Sequence, residues 1–144
     1  MTTPTPAEPM PVEESGGDEI LRILARITQE SDDPDTSMGI TLTVRGTTIT
    51  GLLIGRDDWL RRFRALAGKA GETGEVLGDA LIERYLNIDL HRPADEEPVY
   101  AFVHLMNAYI LGSANSLSPG GPDGFLWRGR ISEVSGWAFG HLKP

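Results

Sequence analysis

Apolar residues recur along the chain with two periods, and the switch between them separates helices from strands. Over residues 18–30, Ile20, Ile23, Leu24 and Ile27 fall at helical spacing. They form one stripe of an amphipathic helix, which must pack on a partner surface. Asp18 and Glu19 put negative charge in its first turn, where the helix dipole favours it. Ser31, Asp32, Asp33 and Pro34 end it. From residue 40 the period drops to two. Ile40, Leu42 and Val44 alternate with Thr41, Thr43 and Arg45, Gly46 supplies a turn, and residues 49–54 return. This predicts a β-hairpin. Gly51, inside the return strand, marks a bend, a bulge or a close backbone approach.

The helical period resumes over residues 57–69, with Asp57 as N-cap and Trp59, Leu60, Phe63, Leu66 and Ala67 on one face. It recurs over residues 75–86 through Val76, Leu77, Ala80, Leu81 and Tyr85. Gly68, Gly71 and Gly74 are expected to separate these two helices, because glycine costs about 1 kcal/mol in a helix interior. Residues 87–98, with Pro93 and Pro98 around an acidic run, read as a solvated connector. Residues 99–111 predict a central or bent strand, apolar on both faces, with Tyr100, Phe102, His104 and Met106 on one side. Residues 112–124, rich in glycine, proline and serine, predict a loop. Residues 125–131 and 134–142 predict two closing strand segments, with Gly129 and Gly136 as further bends.

Prolines at 4, 6, 9 and 11 with few apolar neighbours make residues 1–17 a disordered, acidic, Pro-rich tail. Residues 18–144 are then one β-rich domain with a helical insertion at 57–86. Charge sharpens this division. The net charge is −8, and residues 1–39 hold nine acidic and two basic residues. Residues 87–98 hold four acidic and one basic, while the remaining segments are nearly neutral. Nucleic-acid binding requires clustered basic charge to neutralise phosphates. The only local cluster is Arg61, Arg62 and Arg64, which reads as a solvated helix face. No apolar run approaches the roughly 20 residues of a membrane helix. No basic region followed by an apolar stretch opens the chain. The expected setting is therefore the cytoplasm, with neither nucleic acid nor membrane as partner.

Local catalytic or cofactor chemistry finds no support. There is no cysteine. His91, His104 and His141 have no metal-ligand spacing. His104 lies within a predicted strand and reads as a hydrogen-bonded core or interface residue. The glycines of residues 112–124 run from strand to strand without a phosphate-loop lysine. There is no nucleophile elbow, and Asp57-Asp58 reads as a helix cap rather than a catalytic pair. The expectation is a non-enzyme with no metal and no cofactor. Trp127-Arg128-Gly129-Arg130 is the most suggestive short string. Tryptophan and arginine dominate binding hot spots, so Trp127, Arg128 and Arg130 are the candidate partner-binding residues. The competing reading is a strand with alternating buried and exposed side chains.

Two resemblances follow. A helix, a Gly-turned hairpin with an internal glycine, a strand ending Leu105-x-Asn107-Ala108, then Arg128-Gly129-x-Ile131, resembles the Sm-like barrel. The implied fold is α+β, a small strongly bent antiparallel sheet or Sm-like/SH3-like barrel with an N-terminal helix and an inserted helical segment. An Sm-like nucleic-acid-binding module is the alternative function. The closer resemblance is to the gas vesicle accessory protein U family, GvpU. It rests on Ile40-Thr41-Leu42-Thr43-Val44-x-Gly46, Ile49-x-Gly51, Phe102-Val103-His104-Leu105-x-Asn107 and Trp127-Arg128-Gly129-Arg130-Ile131-x-Glu133-Val134. Gas vesicles are cytoplasmic, gas-filled protein shells. The resemblance implies a non-catalytic accessory protein that assists their assembly or clustering. Its partners would be the shell or other gas vesicle proteins, and a homo-oligomer is expected. Weak contacts to a repetitive shell add up through effective concentration, and an acidic tail tunes such association through salt-sensitive repulsion.

Overall fold

The structure, a computed structural model, describes residues 17–31, 33, 35–112, 116–117 and 123–142. Apart from Gly17, the expected N-terminal tail lies outside the described residues. Three helices and six strands follow in order: α1 (Glu19–Glu30), β1 (Met38–Val44), β2 (Thr47–Ile54), α2 (Arg56–Gly68), α3 (Glu72–Leu90), β3 (Phe102–Leu111), β4 (Ser116–Leu117), β5 (Phe125–Arg130) and β6 (Val134–Phe139). The fold is thus α+β, with one antiparallel sheet and a helical pair inserted between its second and third strands. A 3-10 turn, Ile131–Glu133, joins β5 to β6.

In the sheet, β3, β2, β1 and β6 lie side by side, and both β4 and β5 pair with β3. The expected barrel is not formed. Among the described residues no ladder joins β5 to β6, so the sheet stays open and the 3-10 turn bridges its two ends. Bending comes from bulges, where an extra residue increases local twist. The register shifts at Thr43/Val44, at Thr50/Leu52 and at Leu105/Ala108. Asn107, at φ 51, lies inside the last of these. Gly51 lies opposite this bulge, and a Cβ there would meet the Met106 carbonyl oxygen at 3.0 Å and Ala108 Cα at 3.1 Å. Of the three readings for Gly51, a bend, a bulge or a close backbone approach, the structure shows the register shift of a bulge together with the close approach.

The core is built from Ile40 and Leu42 of β1, Ile49 and Leu53 of β2, and Val103, Leu105 and Ala108 of β3, with Ile131 and Val134. α1 adds Leu21 and Ala25. Its geometry corrects the expected stripe. Leu21, Ala25 and Thr28 are buried, whereas Ile20, Ile23 and Ile27 stay exposed, Ile20 at 59 %. Small residues allow the helix to come close to the sheet. Thr28 is tolerated there because its hydroxyl bonds the Leu24 and Ala25 carbonyls. Asp18 caps α1, accepting from Leu21 N at 3.1 Å, and its other oxygen accepts from Trp137 Nε1 at 3.2 Å. The Leu21 amide, and after it Trp137, holds the Asp18 carboxyl below the usual carboxylate range. Because one side chain ties α1 to β6, Asp18→Ala is expected to lower the melting temperature by a few degrees, and Asp18→Asn by less. Calorimetry checks this.

α2 and α3 differ from expectation in three ways. Gly55, not Asp57, is the N-cap of α2, and Asp57 lies in the first turn. α3 extends through residues 87–90, which the acidic connector was expected to contain. Gly74 is inside α3 rather than between the helices, because a Cβ there would meet the Ala67 carbonyl oxygen at 1.9 Å. Gly78 similarly faces Arg64. The two glycines let the backbones of α2 and α3 touch. α2 is anchored by buried Leu60, while α3 buries only Gly78. Val76, Leu77, Leu81, Leu86, Ile88 and Leu90 of α3 are exposed, Leu90 at 81 %. The strand expected at 99–111 begins only at Phe102. In the predicted loop, Ser116 and Leu117 pair with Leu111 and Ile110, and most of the rest lies outside the described residues.

Candidate functional site

Side chains alternate across a strand, and this separates the three candidate contact residues. Trp127 lies opposite Leu105, half-buried against the core. Its indole covers Gly129, where a Cβ would meet the ring at 2.2 Å. Gly129 is thus the seat of the indole rather than a bend. Arg128 and Arg130 are on the other face, exposed, opposite His104 and Phe102. The structure brings these two arginines together and sends Trp127 to the core side.

Around Arg128 the sheet and both inserted helices converge on a cleft of about 330 Å³. The Arg128 guanidinium lies 3.6 Å from the Phe102 ring centroid. Its Nε donates to His104 Nε2 at 3.1 Å and its Nη2 to the Tyr85 hydroxyl at 3.0 Å. Tyr85 in turn lies beneath Arg56, whose guanidinium carbon is 4.9 Å from the ring centroid. Arg56 binds Asp89, and Asp57 at 3.0 Å; Arg92 binds Asp89 at 2.9 Å. Burial works against the Arg56 charge, but the Asp89 and Asp57 contacts outweigh it, and its pKa is raised. Burial likewise opposes the Asp89 charge, and Arg56 and Arg92 overcome it, so its pKa is lowered.

His104 is 6 % exposed and its ring lies 5.6 Å from that of Trp59. Burial first, then Arg128 and Arg56, push its pKa down to about 3. Accepting a hydrogen bond from Arg128 requires a bare Nε2, so the imidazole is neutral with its proton on Nδ1. This agrees with its reading as a hydrogen-bonded core residue. Among the described residues no group of three His, Asp or Glu side chains is placed to hold a metal. Nor is any helix long and apolar enough to cross a membrane.

Sequence reasoning missed most of this cleft. Alternation did put Phe102 and His104 on one face of a strand. Arg56, Tyr85 and Asp89 gave no signal, because they meet Arg128 or one another across the inserted helices, and Arg92 reaches Asp89 three residues back at the end of α3. Their residue types suit a solvated helix surface equally well.

No curated protein and no solved structure matches the chain. A family model described as gas vesicle protein GvpU-like matches residues 18–142. The match runs from the Asp18 cap of α1 to just beyond β6, and so takes in the sheet, the inserted helices and the arginine cleft. The chain belongs to the GvpU-like family of gas vesicle proteins.

Proposed function

We propose that this gas vesicle accessory protein is non-catalytic and assists assembly or clustering of vesicles by binding the shell and associating with itself. An adaptor of that kind needs at least two contact surfaces per copy, so that weak contacts to a repetitive particle add through effective concentration. The observation that carries the reading is exposed apolar surface on two separate elements. α1 packs on the sheet face bearing Val103 and Leu105 and leaves Ile20, Ile23 and Ile27 in solvent. α2 packs on the face bearing His104, and the α2–α3 pair leaves Leu66, Val76, Leu77 and Leu86 in solvent. Large apolar side chains exposed on one helix in this number mark interaction sites. Arg128 and Arg130 add a charged contact next to the helical pair, with Trp127 supporting the strand from beneath.

Centrifugation of purified vesicles with and without the protein tests the reading. Co-migration is expected, and it should weaken when Leu77→Asp and Leu81→Asp, which share one exposed stripe of α3, are introduced together. Failure to co-migrate at any ionic strength would sink direct shell binding.

A further inference from the structure

We propose that the cleft between β3, β5 and the helical pair is a binding site for an acidic peptide segment of a partner protein, whose carboxylates fill a row of arginines. The row is continuous. Arg130 and Arg128 flank the Phe102 ring, at 5.9 and 3.6 Å from its centroid. Tyr85 stands between Arg128 and Arg56, and Asp89 between Arg56 and Arg92. Guanidinium and aromatic groups thus alternate from Arg130 to Arg56, and a carboxylate joins Arg56 to Arg92.

The charges do not balance locally. On a chain of net charge −8, three guanidiniums, those of Arg56, Arg92 and Arg128, line the cleft, and Arg130 stands beside it at Phe102. Arg56 and Arg92 share Asp89, and Arg56 also reaches Asp57. Among the described residues no carboxylate lies within 4.0 Å of Arg128 or Arg130. Arg128 is held flat on a ring with Nε and one Nη engaged. That fixes its plane and leaves its remaining donors for a carboxylate at little cost in side-chain entropy. A structural arginine tying β5 to α3 requires the bonds to His104 and Tyr85. It does not require a second arginine two residues further along the same face, whose charge reaches Glu133, a carboxylate already paired with Arg45.

The row's shape selects the ligand class. Successive residues on one face of a strand are about 7 Å apart, so a compact oxyanion reaches one or two of the four arginines. An extended acidic peptide reaches them all, and its methylene groups have Phe102 and Tyr85 to lie against. The inference deepens the contact role proposed for Arg128 and Arg130. Its test uses no vesicles, so its failure and the failure of shell binding are separate results.

Fluorescently labelled, C-terminally amidated hexaglutamate titrated into the full chain at low ionic strength should bind, with affinity falling as salt rises. Arg128→Gln is expected to weaken it about ten-fold. Arg130→Gln, at an exposed side chain with no hydrogen bond to lose, is expected to weaken it about three-fold. Asp89→Asn should tighten binding about three-fold by removing the carboxylate that Arg56 and Arg92 share, Arg56 keeping Asp57; a purely structural arginine row gives no gain. Absence of hexaglutamate binding, or equal binding by wild type and all three variants, overturns the proposal. So does full displacement of the peptide by an equal concentration of inorganic phosphate.

Discussion

Between pH 7 and pH 5 the protein is expected to lose about 2 kcal/mol of unfolding free energy, nearly all of it through His104. Its folded-state pKa lies at about 3 against an ordinary 6.5. Below 6.5 the unfolded chain therefore binds a proton that the folded chain refuses, and stability falls with pH across that window. The loss saturates below pH 3, on the order of 4 kcal/mol. Three groups face the imidazole. Arg128 from β5 donates to Nε2, Arg56 from α2 adds positive charge, and the Trp59 ring from α2 excludes water. A proton on Nε2 would put two donors against each other beside two guanidiniums. Carboxylates whose pKa is lowered, such as Asp18 and Asp89, add their own loss only nearer pH 4. Urea unfolding at pH 7 and pH 5 reads the slope. His104→Gln, which keeps an acceptor for Arg128, should flatten it. A wild-type protein equally stable at both pH values would mean that His104 is not held neutral.

The same residue shows what local pattern reveals and what it omits. Alternation placed Phe102 and His104 on one strand face and Val103 and Leu105 on the other, as found. The hairpin was legible because it depends on residues within a few positions of one another, whereas Gly51 marked an irregularity whose partners, Met106 and Ala108, only the fold supplies. α1 was harder. It carries apolar residues on two stripes, Leu21, Leu24 and Ala25 beside Ile20, Ile23 and Ile27. Periodicity favours the stripe with three isoleucines, but the sheet accepts the one with Leu21, Leu24 and Ala25, together with Thr28, whose hydroxyl is satisfied within the helix. The cleft was invisible for a different reason. Arg56 and Asp89 are 33 residues apart, and Arg128 and Tyr85 are 43 apart. Nothing in either local context distinguishes a paired arginine from a solvated one. Alternation already splits Trp127 from Arg128 and Arg130, but which of the two faces is the core side follows only from the register with β3.

Gly74→Ala and Gly68→Ala should change stability in opposite directions, although both replace a helical glycine with the best helix former. In an exposed helix the exchange gains up to about 1 kcal/mol. Gly68, the last residue of α2, has nothing within 4 Å of the added Cβ. Gly68→Ala is expected to stabilise by about 0.5 kcal/mol. At Gly74 the added Cβ would be 1.9 Å from the Ala67 carbonyl oxygen. That neighbour is helix backbone and cannot rotate aside, so α2 and α3 must separate. The loss of close packing outweighs the propensity gain, leaving a net cost of about 2 kcal/mol. Where that cost is felt follows from burial. α3 buries only Gly78, and a Cβ there would also press on α2, so α3 is held chiefly by α2. Amide exchange in α3 should accelerate in Gly74→Ala while β1, β2 and β3 keep their protection. The row of arginines spans the α2–α3 junction, with Arg56 on one helix and Asp89 and Tyr85 on the other. Separation of the helices should therefore also weaken hexaglutamate binding, whereas Gly68→Ala leaves it unchanged. Equal stabilisation by both substitutions would show that the helices do not meet at Gly74.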